Sequence, residues 1–175
     1  MKRKLNDYDT TREYGVGYTH KGQPFYFDLE DYNKIKDISW HINSDGYVHG
    51  VVDNNKKIFL HRLIMGCPKG LEVDHVHGKQ SRNDCRKENL RIGTNQQNQM
   101  NCPIRADNTS GAKGVSWHKK KQKWIAQIGV DNKLIYLGVY ENYEDAVKAR
   151  KEAEDKYFED WSYDKSQRMG RDESA

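Results

Sequence analysis

No run of this chain is long and apolar enough to cross a membrane, and apolar residues fill only 35% of its 175 positions. The first residues, Met1-Lys2-Arg3-Lys4-Leu5-Asn6-Asp7, are charged and polar with no apolar run behind them, so no secretory leader is expected. Cysteine is scarce. Cys67, Cys85 and Cys102 are odd in number and include no Cys-x-x-Cys pair, which excludes a four-cysteine zinc site and argues against a disulfide framework. No internal repeat is present. These absences predict a soluble chain suited to a reducing cytoplasm. The thin apolar supply predicts compact cores that lean on the 4 Trp, 11 Tyr and 4 Phe.

Charge is present and unevenly spread. The net charge is +4. Residues 113–133 hold six lysines and one acid, whereas residues 141–160 hold eight acids and four bases. A local basic face set against an acidic element points to a nucleic acid more than uniform charge would.

The pattern along the chain predicts an α+β fold in two modules. Residues 1–60 read as a β-meander of two or three short strands around turns at Asn43-Ser44-Asp45-Gly46 and Asp53-Asn54-Asn55. Asp28 to Ile35 can open a short helix. Leu60-His61-Arg62-Leu63-Ile64-Met65 spaces its apolar residues helically. Leu71 to Asp74 reads as a strand, Gly78 to Asn83 as a loop, and Lys87 to Met100 as mostly helical, broken at Gly93. Residues 102–111 read as a linker. Val115 to His118, Trp124 to Val130 and Leu134 to Tyr140 read as three strands, followed by a helix capped at Asn142. Residues 161–175 read as a flexible tail.

Asp74-His75, Asn89 and Asn98 carry the chemistry. A carboxylate can hold a hard cation through oxygen. A neutral imidazole can take a proton from water near neutral pH. Asn89 can fix the ring through its side-chain amide, and Asn98 can return an amide oxygen to the metal. An Asp-His pair alone is common and more often structural, and Asn-Gln-Gln-Asn is more often solvated surface. His75-x-His77 suggests zinc, but no further Cys or His is suitably spaced.

Four blocks in order resemble the HNH endonucleases, closest to the phage and homing branch with a His-Asn-Asn core. They are Leu60-His61-Arg62-Leu63, Val73-Asp74-His75-Val76-His77-Gly78, Cys85-Arg86-Lys87-Glu88-Asn89-Leu90-Arg91, and Asn98. The resemblance covers about residues 40–101. It implies a nuclease domain over 1–101 with a ββα-metal core at about 58–101. It also implies His75 as general base, Asn89 as the residue orienting it, and Asp74 and Asn98 as ligands of Mg²⁺ or Mn²⁺. His61 either shapes the site or contacts phosphate. Arg62 and Arg86 contact phosphate or form ordinary structural pairs. The loop from Gly78 to Cys85 is about two residues longer than such sequences lead one to expect.

The second module has a basic front. Alternation puts Trp124, Ala126 and Ile128 on one face, with Ile135, Leu137, Val139, Val115 and Trp117, against the helix. Ser116, His118, Ile125, Gln127, Leu134 and Tyr136 fall on the other face. Lys113, Lys119, Lys120, Lys121, Lys123 and Lys133 surround that face and can bind phosphates whatever the sequence. Ser116, His118, Gln127 and Tyr136 are candidate base readers. A lysine-rich hairpin is more often a solvated turn. Ser110-Gly111-Ala112-Lys113-Gly114-Val115-Ser116-Trp117, Lys123 to Ile128, Leu134 to Tyr140 and Glu144 to Ala149 resemble the Apetala/ethylene-response-factor DNA-binding domain. That resemblance implies a three-stranded antiparallel sheet packed on one helix over 112–160, docked in the major groove. Plant members carry arginines and tryptophan where Ser116, His118, Leu134 and Tyr136 stand here, so the docking mode is implied and the target sequence is not.

The sequence thus predicts a metal-dependent endonuclease acting on double-stranded DNA, as a monomer, in a bacterial or phage-infected cell. The alternative is a non-catalytic DNA-binding regulator retaining an HNH fold. An RNA-binding protein is a weaker reading, because the aromatics fall mainly on predicted buried faces.

Overall fold

A computed structural model describes residues 4–52, 55–158 and 161–163. The chain divides into two compact units after Asn98. The expected boundary lay at 101/102. Of the turn read at Asp53-Asn54-Asn55 only Asn55 is described, and most of the 161–175 tail lies outside the described residues. The class is α+β, as the alternating pattern predicted: several small antiparallel sheets and few helices.

The first unit holds more strand than its sequence announced. β1 (Asp7–Asp9), β2 (Gly15–Tyr18) and β3 (Pro24–Phe27) form one antiparallel sheet, a set the sequence did not resolve. β2 reads Gly-Val-Gly-Tyr because Phe25 and Phe27 lie across it. A Cβ on Gly17 would fall 2.2 Å from the Phe25 ring. A 3₁₀ turn at Leu29–Asp31 and α1 (Tyr32–Ile35) follow. β4 (Trp40–Ile42), β5 (Val48–Val52) and β6 (Lys56–Phe59) form the second sheet. Asn6 joins the two sheets: its Oδ1 accepts from the Trp40 N–H at 2.6 Å, and its Nδ2 donates to the Trp40 and Tyr18 carbonyls. Trp40, Phe25, Phe27, Ile35, Val48 and Leu60 are fully buried together. The indole N–H of Trp40 donates to the Ile35 carbonyl.

α2 (Leu60–Ile64), β7 (Glu72–His75), β8 (Leu90–Gly93) and α3 (Asn95–Met100) complete the sequence around Asp74-His75. β8 corrects the helical reading of residues 87–100. Leu90 and Val73 pack inward on the hairpin, and β7 pairs with β8 in the register Glu72↔Gly93 to His75↔Leu90.

In the second unit β9 (Val115–His118), β10 (Lys123–Val130) and β11 (Lys133–Tyr140) form the expected sheet, backed by α4 (Tyr143–Tyr157). α4 buries Ala146 and Ala153 against Val115, Ala126 and Ile128. Asn142 is its N-cap residue, but its side chain donates to the Asp145 carboxylate and not into the helix. The segment expected as linker is ordered: Asn108 Oδ1 accepts from the Ser110 and Gly111 N–H groups, and its Nδ2 donates to the Ala112 carbonyl.

One face assignment is corrected. A β-bulge interrupts β10–β11 between Ala126 and Gln127, where Gly138 takes φ +146°. Beyond it Val139 pairs with Ile125, so Val139 lies on the open face and Tyr140 turns toward the helix instead.

Candidate functional site

β7 alternates its side chains, so Glu72 and Asp74 share one face while Val73 and His75 share the other. His75 is buried against α2 and Tyr47, the residue just before β5. Its ring lies 5.0 Å from that of His61 and 5.7 Å from that of Tyr47, centroid to centroid. His61 is buried too, against Phe59 and Tyr47. The structure therefore brings His61 and His75 together, and adds Tyr47, which no motif marks.

Burial holds both imidazoles neutral. Loss of water pushes His75 down to about 3, helped by His61 and by the Arg82 guanidinium. It pushes His61 down to about 4, helped by Arg62. In the unfolded chain both titrate near 6.5, so between these values the unfolded state binds more protons. Stability contributed by the neutral rings is complete above about 6.5 and is lost as pH falls toward 4 and then 3. The slope approaches about 1.4 kcal/mol per pH unit for each histidine. Thermal melts from pH 7.5 to 5 check this. The parent chain is expected to lose melting temperature steadily, and His75→Gln to lose it less steeply. Parallel curves would contradict the assignment.

Asp74 stands opposite Arg91 on β8, and its Oδ2 accepts from Arg91 Nε at 3.0 Å and Nη2 at 2.8 Å. A helical pattern over residues 87–100 hides this pair, because only a strand at Leu90–Gly93 sets Arg91 opposite Asp74. The alternation Leu90-Arg91-Ile92 was the available signal. Asn98 Nδ2 donates to Glu72 Oε2 at 2.7 Å, and Asn95 Nδ2 to Glu72 Oε1 at 3.1 Å. These bonds hold the Glu72 carboxyl below its usual range. Asn98 is thus tied to the Asp74 face of the hairpin through Glu72, a residue the sequence reading did not single out. The α3 amides turn their nitrogens to Glu72, and Asp74 is held by Arg91. Among the described residues no group of three or more His, Cys, Asp or Glu side chains could hold a metal ion.

Asn89 is 1% exposed, and its amide is committed elsewhere than to the His75 ring. Its Nδ2 donates to the Asp84 and Ser81 carbonyls at 2.9 and 3.2 Å, and its Oδ1 accepts from the His77 N–H at 3.2 Å. Its backbone carbonyl accepts from the N–H of Val76, next to His75. Asn89 organises the 77–84 loop. That longer loop is anchored on β3 by Tyr26–Asn83 and Cys85–Tyr26 backbone bonds. It places Arg82 over the Tyr47 ring at 4.4 Å, close enough to act on His75. Arg86 forms a fork on Asp84, also pairs with Glu88, and covers Tyr14, so the structural alternative describes it. Arg62 donates to the Leu71 carbonyl at 3.1 Å.

On the second unit Ser116, Lys119, Lys120, Lys121, Lys133 and Tyr136 are exposed, and His118 and Gln127 half-buried on the open face. His118 Nδ1 accepts from the Lys121 N–H and shapes the turn. Two lysines are turned to other work. Lys113 donates to the Cys102 carbonyl and lies over Tyr163, and Lys123 pairs with Glu141 at 3.1 Å.

Comparison with known proteins adds one relative. The chain is 36% identical over 66 residues to Protein 3.8 of Escherichia phage T7, an alignment covering 38% of this chain and 53% of that protein. The chain thus spans about half the length of the curated relative it matches. No family model and no solved structure matches. Among the described residues, no helix is long and apolar enough to cross a membrane.

Proposed function

We propose that the chain is a metal-dependent endonuclease of the HNH homing or phage type, hydrolysing phosphodiester bonds of double-stranded DNA in a bacterial or infected cell. The observation that carries the reading is the strand–strand–helix order β7–β8–α3. A neutral, buried His75 follows Asp74 on the first strand with its ring on the opposite face, and Asn98 on the helix is tied to Glu72 of that strand.

In this reading Asp74 and Asn98 would hold Mg²⁺ or Mn²⁺, which would supply charge stabilisation at the departing oxygen. His75, in its base form at neutral pH, accepts the proton of the attacking water. His61 and Tyr47 fix the ring by packing. Asn89 holds the loop that delivers Arg82, whose charge favours a phosphate near His75. Asp74→Ala is expected to keep DNA affinity and lose metal-dependent strand breaks. Unchanged cleavage would remove Asp74 from the ligand set.

The open face of the second unit would locate the site, with lysines on phosphates. Changing Lys119, Lys120 and Lys121 together to alanine is expected to weaken duplex binding. The slope of log affinity against log salt should fall by up to about 2.7, at roughly 0.9 per phosphate contact. An unchanged slope in a salt titration would show that these lysines are solvated turn residues.

One observation favours the second reading, a DNA-binding regulator with a silent nuclease fold. Arg91 already neutralises Asp74. The two readings part on whether DNA is broken when magnesium is present.

A further inference from the structure

The open face of β9–β10–β11 displays apolar side chains where a surface meeting only water would display polar ones. Leu134 and Tyr136 are 68% and 57% exposed, more than any other large apolar side chain among the described residues. They lie two apart on β11 and so share a face, and neither belongs to a core cluster. Leu134 stands opposite Gly129, above which the space is open, and Tyr136 stands opposite Gln127. Val139, Ile125 and Ser116 form the next row. Exposed Lys119, Lys120, Lys121 and Lys133 lie in the turns and strand end at the rim. No arginine occurs between Arg105 and Arg150.

We infer that this face reads A·T pairs in the major groove, by apolar contact of Leu134 and Tyr136 with thymine methyl groups and by the Gln127 amide on adenine. Thymine is the standard base that presents a methyl group in the major groove, and a carboxamide matches the adenine N6 and N7 positions. Guanine is read by arginine or lysine at its O6 and N7. Here the centre of the face is apolar and amide, and its cations stand at the rim. The rim charge commits the occupant to a polyanion. Duplex RNA offers neither an accessible major groove nor the methyl group. The inference rests on the reading of the second unit as a DNA-docking module.

The test uses the full chain in chelator, so that no strand is cut. Bound sites are selected from a random duplex library, and deoxyuridine then replaces thymidine one position at a time, removing a single methyl. The selected sites are expected to be A·T-rich. At one or two positions the substitution is expected to weaken binding about fourfold, the change matching burial of one methyl-sized group at about 0.8 kcal/mol. Leu134→Ala is expected to bind the thymidine and deoxyuridine duplexes equally at one of these positions. Its melting temperature should be unchanged, because Leu134 packs in no core. Gln127→Ala is expected to relax the choice of the adenine. Tight, sequence-specific binding indifferent to the methyl at every position would overturn the inference alone, as would G·C-rich sites. Failure to bind any duplex would remove the DNA-docking reading beneath it, and that outcome is distinct from either.

Discussion

His75→Ala is expected to cut DNA at least about a hundredfold more slowly in single-turnover measurements, while binding the same duplex as the parent chain does. The size follows from losing the general base, whose contribution is typically about 10²–10⁴ in rate. Binding is spared because His75 is buried on the inner face of β7, and the lysine rim lies in the other unit. Burial sets the ring low in the free protein, with its pKa at about 3. The imidazole is therefore neutral, and able to accept a proton, in the free protein. A thermal melt of the variant separates lost chemistry from lost packing against His61 and Tyr47. Full cleavage by a folded His75→Ala chain would show that another group takes the proton.

Asn89→Ala is expected to destabilise the first unit by about 3 kcal/mol and to slow cleavage as a consequence. The substitution leaves the Asp84 and Ser81 carbonyls and the His77 N–H without their partner in a buried place, and each such loss costs roughly 1–3 kcal/mol. Asn89→Asp is expected to be no better, because a carboxylate cannot donate to the two carbonyls. Denaturant unfolding gives the magnitude. If Asn89 instead acted directly on the His75 ring, the alanine variant would keep its stability and alter only the rate and its pH profile. That result would restore the role the sequence resemblance implied.

These two residues show how far the sequence could be read. The three strands and helix of the second unit were legible because the β-branched and aromatic runs at Trp124 to Val130 and Leu134 to Tyr140 flank a turn at Asp131-Asn132, and Ala146 and Ala153 are spaced for one helix face. α2 was legible from Leu60, Leu63 and Ile64. β8 was not, because Leu90-Arg91-Ile92 is short and flanked by residues that favour helix, and only pairing with β7 decides its state. The Arg91–Asp74 pair was hidden with it. The β1–β3 sheet was missed because its glycines carry no apolar signal. They are there to let Phe25 and Phe27 cross closely. Val139 was assigned to the wrong face because a bulge shifts the period of two, and nothing before Gly138 announces it. His75 was picked out by chemistry. Its neighbours Tyr47, His61 and Arg82 come from three distant segments, and only His61 was already marked by a motif.

The resemblance and the geometry divide the work differently for Asn89 and Asn98. Asn98 on α3 is tied to Glu72, which shares a strand face with Asp74. Asn89 supports the loop. The loop carries Arg82 near enough to His75 for its charge to act on the ring.

The most direct test is conversion of supercoiled plasmid by the purified chain with magnesium, with manganese and with chelator. The account requires open-circular or linear product with either metal and none with chelator. Binding of the plasmid with no strand break under any of these conditions would contradict it, and would leave a DNA-binding regulator in which Arg91 has permanently replaced the cation at Asp74.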